Sequence, residues 1–194
     1  MNTKEINKKE QILQTAQILF AQFGLKKVTT DDIARESHKS KATIYKLYKN
    51  KAEIFDEVVR REAKELIAEV RTAVDKEKTV KNKFKAHLIT RLKKIGKFVN
   101  FYRVTQDTWG DYWPHIAQVR ELFLSEERKI VKDILAFGNR KGMLRVKKID
   151  MTSYIMVVAL SSPEFSWAIE ENELSMTDAI DMMIDIILNG IKKG

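Results

Sequence analysis

Residues 12–55 read ILQTAQILFAQFGLKKVTTDDIARESHKSKATIYKLYKNKAEIF, three short helical patterns with a turn where a helix-turn-helix needs one. In the first pattern Ile12, Ala16, Leu19, Phe20 and Phe23 recur at three- and four-residue intervals. They therefore share one buried helix face, and Gly24 follows as a C-terminal stop. Thr29 then precedes Asp31, Asp32, Ile33 and Ala34. Its hydroxyl can cap the free amides of a second helix while the aspartates sit at the positive end of that helix. This helix can run only to about Ser37, because Ser40 offers the next N-cap, ahead of Lys41 to Tyr48. In the third helix Ile44, Leu47 and Tyr48 fall on one side. The first turn and the opposite side carry Lys41, Ala42, Thr43, Tyr45 and Lys46, small or long polar groups suited to base edges and phosphates in a DNA major groove.

With these residues in place, the segment resembles the N-terminal DNA-binding domain of the TetR family of bacterial repressors. The resemblance is carried by Ile12-Leu13, Ala16, Leu19-Phe20, Gly24, Thr29, Ile33-Ala34, Ser40-Lys41, Thr43-Ile44-Tyr45, Lys51 and Glu53-Ile54-Phe55. Three positions depart from the family pattern. His38 stands where the turn glycine is usual, Lys39 where a small apolar residue is usual, and Leu47 where a phosphate-touching tyrosine is frequent. Histidine tolerates the left-handed backbone better than a branched residue does, so the turn is expected to form.

The resemblance implies a sequence-specific transcriptional regulator, a repressor that binds double-stranded DNA as a homodimer and is released by a small, mostly apolar effector. A two-fold dimer presents two copies of the third helix to successive major-groove faces, so the operator is expected to be an inverted repeat. Lys41, Ala42 and Thr43 are assigned to base edges with Lys39 beside them, and Thr29, Ser40, Tyr45, Lys46 and Lys51 to phosphates.

Composition agrees with that reading. At 194 residues and 44% hydrophobic content the chain can hold a small DNA-binding unit, residues 1–50, and a core-forming effector and dimerisation domain, residues 51–194. A net charge of +9 with a pI near 9.5 points to an anionic partner without distinguishing DNA from RNA or a membrane surface. The lack of cysteine excludes disulfides, a Cys-ligated zinc finger and thiol catalysis, and fits a reducing cytoplasm. MNTKEINKKEQ contains no apolar run, and no stretch reaches the roughly 18 apolar residues of a membrane span, so a cytoplasmic protein is expected.

Beyond residue 50 the apolar spacing stays near the helical period and only two prolines occur in the whole chain, which predicts an all-α fold. Asn50 and Glu53 form a candidate reciprocal cap for a helix reaching about Val74. Asp75 to Lys78 is a charged break. Phe84, Leu88, Leu92, Ile95 and Val99 then mark another helix, whose lysines from Lys81 to Lys97 read as a solvated face. Phe98, Phe101, Tyr102, Trp109, Tyr112 and Trp113 cluster around a Gly110 and Pro114 break. They either line a pocket or fill a core corner. The family's apolar ligand cavity favours the pocket, drawn here as Phe98, Tyr102, Trp109, Trp113, Tyr154 and Trp167, with Asp107, His115 or Glu164 as a polar contact.

In Asp178 to Ile191, Asp178, Asp181, Asp185 and Asn189 form a narrow polar stripe on an otherwise apolar helix, which must then be covered on two sides. A second copy is the simplest second cover. The expected interface is Tyr154, Val158, Ala179, Met182, Met183 and Ile186, with a break near Ser161 to Glu164 caused by Pro163. No phosphate-cradling glycine loop or nucleophile elbow occurs, and His38, His87 and His115 lack spaced partner ligands, so neither an enzyme, a metal site nor a cofactor is expected. A helix-turn-helix protein without an effector, in a structural or cell-cycle role, is the alternative. A membrane-surface protein would need a one-sided lysine-plus-aromatic helix, which the sequence lacks.

Overall fold

The computed structural model describes residues 3–94, 97, 100, 113–160 and 175–191, and every regular element among them is a helix. In chain order they are α1 (Thr3–Lys27), α2 (Thr30–Glu36), α3 (Lys41–Leu47), α4 (Lys51–Asp75), α5 (Val80–Lys93), α6 (Trp113–Arg140), α7 (Ile149–Leu160) and α8 (Met176–Ile191). The chain divides into two compact units, Met1–Lys64 with Phe98–Val119, and Glu65–Lys97 with Arg120–Gly194.

In the first unit the apolar stripes converge as their spacing dictates. Ile12, Leu13, Ala16 and Phe20 of α1, Ile33 and Ala34 of α2, Ile44 of α3, Tyr48, and Ile54, Phe55, Val58 and Val59 of α4 are all buried. The Phe20 and Phe55 rings meet edge to face, 5.1 Å apart at 89°. Each isoleucine, leucine, valine or phenylalanine among them contributes about 1.5–3 kcal/mol when taken out of water. Gly24 adopts φ 77°, ψ 158°, so the regular part of α1 stops there, as its glycine requires. Phe23, expected in the buried stripe, is instead 56% exposed. It belongs to the right face, but the chain leaves the helix one residue later, and Phe23 lines an open groove of about 490 Å³ with Leu19, Val28 and Arg35.

The start of α4 follows its caps. Asn50 Oδ1 accepts from Glu53 N at 2.9 Å, while the Glu53 carboxylate accepts from Lys49 N at 2.6 Å, one residue before the cap expected from the sequence. A buried polar cluster ties α1 to α4: Glu62 Oε1 accepts from Gln17 Nε2 at 2.9 Å and from Asn100 Nδ2 at 2.8 Å, and Asn100 also donates to Gln17 O at 3.0 Å.

In the second unit α5 packs on α8. Phe84 and Leu88 of α5 and Ile180 and Ile184 of α8 are buried. The aspartate stripe of α8 is paired with the lysines of α5: Lys81 Nζ lies 2.7 Å from Asp185 and Lys85 Nζ 2.6 Å from Asp181. Lys94 and Lys97 likewise reach Glu69, each at 2.7 Å. Much of the lysine run is therefore a set of ion pairs between helices. α5 closes at Lys94, its C-cap, short of the expected Val99, and Ile95 and Val99 lie outside the described residues. His87 and Glu127 are fully buried and Arg91 nearly so, with His87 Nε2 at 3.5 Å and Arg91 Nε at 3.4 Å from the same Glu127 oxygen. The Pro163 break also falls outside the described residues.

Candidate nucleic-acid interface

The helix-turn-helix is built by local hydrogen bonds. Thr29 and Asp32 form a capping box: Asp32 N donates to Thr29 Oγ1 at 3.1 Å, Thr29 N donates to Asp32 Oδ2 at 3.0 Å, and the Thr29 hydroxyl donates to that oxygen at 2.6 Å. The Thr29 hydroxyl, and after it the Thr29 backbone, hold the Asp32 carboxyl below its ordinary value. Both bonding modes of the Thr29 hydroxyl are thus engaged inside α2.

At the other end of α2, His38 N donates to Arg35 O at 3.1 Å and Lys39 N to Ala34 O at 2.9 Å. These are the paired bonds of a Schellman turn, with His38 at φ 53° in the left-handed position that glycine usually takes. The turn expected from the sequence forms with histidine in it. The buried Ser37 hydroxyl closes the same end by donating to Ile33 O at 2.6 Å. Ser40 then caps α3, its Oγ accepting from Thr43 N at 3.2 Å and lying 2.9 Å from Thr43 Oγ1.

α3 is held by its back: Ile44 and the following Tyr48 are buried, while Lys41, Ala42, Tyr45 and Lys46 are exposed and Thr43 half-buried. One edge of a seven-residue helix therefore offers two ammonium groups, a phenol, a hydroxyl and a methyl to the outside. Lys41 Nζ lies 2.6 Å from Asp31 Oδ2 of α2, and that hydrogen bond raises Lys41 above its ordinary value and keeps it charged. Lys51 is differently placed. Half-buried, it donates from Nζ to Leu25 O and Val28 O, each at 2.7 Å, which caps the end of α1, and its burial lowers its pKa. Two of its three donors are engaged there.

Residues 12–58 match the family model described as bacterial regulatory proteins, tetR family. This segment is a TetR-type DNA-binding domain, and the relatives it points to are transcriptional regulators, not enzymes. It is 26% identical over 166 residues to the uncharacterized HTH-type transcriptional regulator YhgD of Bacillus subtilis, covering 84% of this chain and 85% of that one. Its fold is similar to a transcriptional regulator from Cytophaga hutchinsonii (TM-score 0.74, 20% identity, 95% and 98% of the two chains). It is also similar to the regulator FadR from Bacillus subtilis in complex with stearoyl-CoA (TM-score 0.69, 17% identity, 94% and 98%).

Some of the residues expected to bind an effector or a second copy fall on the described helices. Tyr154 is exposed, with the Arg128 guanidinium 5.7 Å from its ring centroid, in an open pocket of about 570 Å³ that Lys147, Lys148 and Asp150 also line. Phe98, Tyr102, Trp109 and Trp167, the Trp113 side chain, and the candidate polar contacts Asp107, Glu164 and the His115 side chain lie outside what the structure describes. On α7, Tyr154 and Val158 are exposed; on α8, Met182 and Ile186 are 62% and 72% exposed, with Ala179 and Met183 half-buried. Met151 and Ile155 extend the exposed apolar face of α7, and the spacing 151, 154, 155, 158 is a helical stripe. Sequence reasoning missed the pairing of Asp31 with Lys41. Among the described residues no helix is long and apolar enough to cross a membrane.

Proposed function

We propose that the protein is a cytoplasmic repressor whose homodimer binds an inverted-repeat operator and leaves it when a small, mostly apolar effector binds residues 51–194, with residues 1–50 reading the DNA. The reading rests first on α3, whose buried Ile44 fixes an outer edge bearing Lys41, Ala42, Thr43, Tyr45 and Lys46. An α-helix with small and cationic residues on its exposed edge fits the major groove, where Lys reads guanine O6 and N7 and a methyl or Thr approaches thymine. Ser40, Tyr45 and Lys46 flank that edge for phosphates; Lys39 and the third donor of Lys51 add charge, and Thr29 positions α2 through its cap.

Dimerisation is supported by the exposed apolar stripes of α7 and α8, which a solvated protomer would leave uncovered. The stearoyl-CoA held by the similarly folded FadR makes a long-chain acyl-CoA thioester the first effector to try. An effector acts by binding one dimer geometry better than the other, which shifts the two reading heads out of register.

Selection of bound duplexes from a random pool with purified protein tests this reading. Enrichment of an inverted repeat, retained at higher salt, is the expected result. Enrichment of nothing, with all binding lost in salt, would sink it. Release of the enriched duplex by stearoyl-CoA would identify the effector class. Failure of every acyl-CoA to release it would favour a regulator without that effector.

A further inference from the structure

Lys41 is the first residue of α3, and its ammonium carries its own counter-anion: Asp31 Oδ2 of α2 stands 2.6 Å from Lys41 Nζ, with both side chains more than half exposed at 63% and 53%. The carboxylate is not needed to close α2, because the neighbouring Asp32 and Thr29 already form the capping box. An exposed pair of this kind adds little to stability. What it changes is the electrostatics of the surface that α3 presents.

We propose that Asp31 is a specificity-determining residue of the DNA interface, holding Lys41 away from phosphates while leaving it free to read a neutral base edge. The inference rests on the reading of α3 as the helix that enters the groove. An ammonium has three donors, so Lys41 can keep Asp31 and at the same time donate to guanine O6 and N7, which are uncharged acceptors. A phosphate is an anion. For Lys41 to neutralise one, the Asp31 carboxylate must give up its partner or remain beside a like charge, and either penalty applies at every sequence alike. Lysine, a point charge on a flexible stem, would otherwise take whichever phosphate was nearest. Asp31 therefore weakens binding to arbitrary DNA more than binding to the operator.

The test compares wild-type protein with Asp31→Asn, Lys41→Met and the double variant on two probes, a random-sequence duplex and the duplex enriched by selection, across a salt series. For Asp31→Asn the random duplex is expected to bind about threefold to fivefold more tightly at low salt, with the log–log salt slope steeper by about 0.9, one further phosphate contact. The enriched duplex changes by less than about twofold, so the specificity ratio falls, and the gain on random DNA disappears in the double variant. Asp31→Glu, which keeps the charge, is expected to behave as wild type, and unchanged circular dichroism guards against misfolding. An equal change on both probes, or a gain that persists in the double variant, would overturn the inference. So would a switch in the preferred base at one position, which would make Asp31 itself the reader. If Lys41→Met alone leaves both affinities unchanged, the reading of α3 fails, and the inference with it.

Discussion

A single backbone dihedral decides whether α2 and α3 can cross, and here it belongs to His38 at φ 53°. A side chain with a Cβ in the left-handed region costs about 1–2 kcal/mol, less for His than for a branched residue. His38→Gly is therefore expected to raise the melting temperature by roughly 2–4 °C, about 1 kcal/mol in a chain of this size, and His38→Val to lower it by at least as much. Thermal unfolding of the two variants measures both; a valine variant as stable as the glycine one would mean the turn is not left-handed. At the other end of α2 the Asp32 carboxyl is held below its ordinary value of 3.8, chiefly by the Thr29 hydroxyl. A depressed carboxyl pKa contributes stability that is fully present above the ordinary value and lost as pH falls through the depressed one. Asp32→Asn should accordingly be less stable than wild type at pH 7, and the gap should narrow on acidification below the ordinary value of 3.8, as pH falls through the depressed one. A gap that stays constant with pH would rule out this linkage.

Elements differ in how plainly the sequence announces them, and the reason is the range of the interactions involved. The ends of α2 and α3 were legible because Thr29, Ser40 and the left-handed turn act within a few residues of themselves. The pairing of Asp31 with Lys41 crosses the turn, ten residues apart, and no periodicity signals it. Lys51 is legible as a lysine at a helix start, but its acceptors are the carbonyls of Leu25 and Val28, and a backbone group leaves no mark in a sequence. That placement alters the expected phenotype of Lys51→Met. Leaving the end of α1 uncapped should cost about 1–3 kcal/mol of stability as well as DNA affinity, and a melting temperature equal to wild type would return Lys51 to a pure phosphate role. The cluster of His87, Arg91 and Glu127 was unreadable for the same reason, since α5 and α6 supply its members from distant parts of the chain. Gly138 of α6 is a further case. A Cβ there would come within 2.6 Å of Leu144 Cγ and 3.1 Å of Val80 Cγ2, so the helix needs glycine for close packing. Overpacking of about 1–3 kcal/mol outweighs the gain of roughly 1 kcal/mol in helix propensity, and Gly138→Ala should lower the melting temperature where an exposed helical glycine would raise it.

At the scale of the whole molecule, the proposed homodimer accounts for the exposed apolar residues of α7 and α8, which a two-fold interface would cover. Ile186 is the sharpest probe because it is 72% exposed in the protomer, so a polar replacement leaves the fold of one chain intact. In a two-fold interface each side chain occurs twice. Burying two isoleucines contributes about 3–6 kcal/mol, which is a factor of roughly 10² to 10⁴ in the dimer dissociation constant. Ile186→Asp loses that term and adds two carboxylates that must stay hydrated. Sedimentation is therefore expected to show a dimer for wild type and a monomer for the variant at the same micromolar concentration, with superimposable helical circular dichroism. DNA binding should follow the assembly. A duplex carrying both half-sites should lose affinity steeply, because the second reading head is no longer tethered, whereas a duplex carrying one half-site should be bound equally by both proteins. A variant that remains dimeric would move the interface away from the outer face of α8, and a variant that loses the single half-site as well would show that Ile186 supports the fold of its own chain.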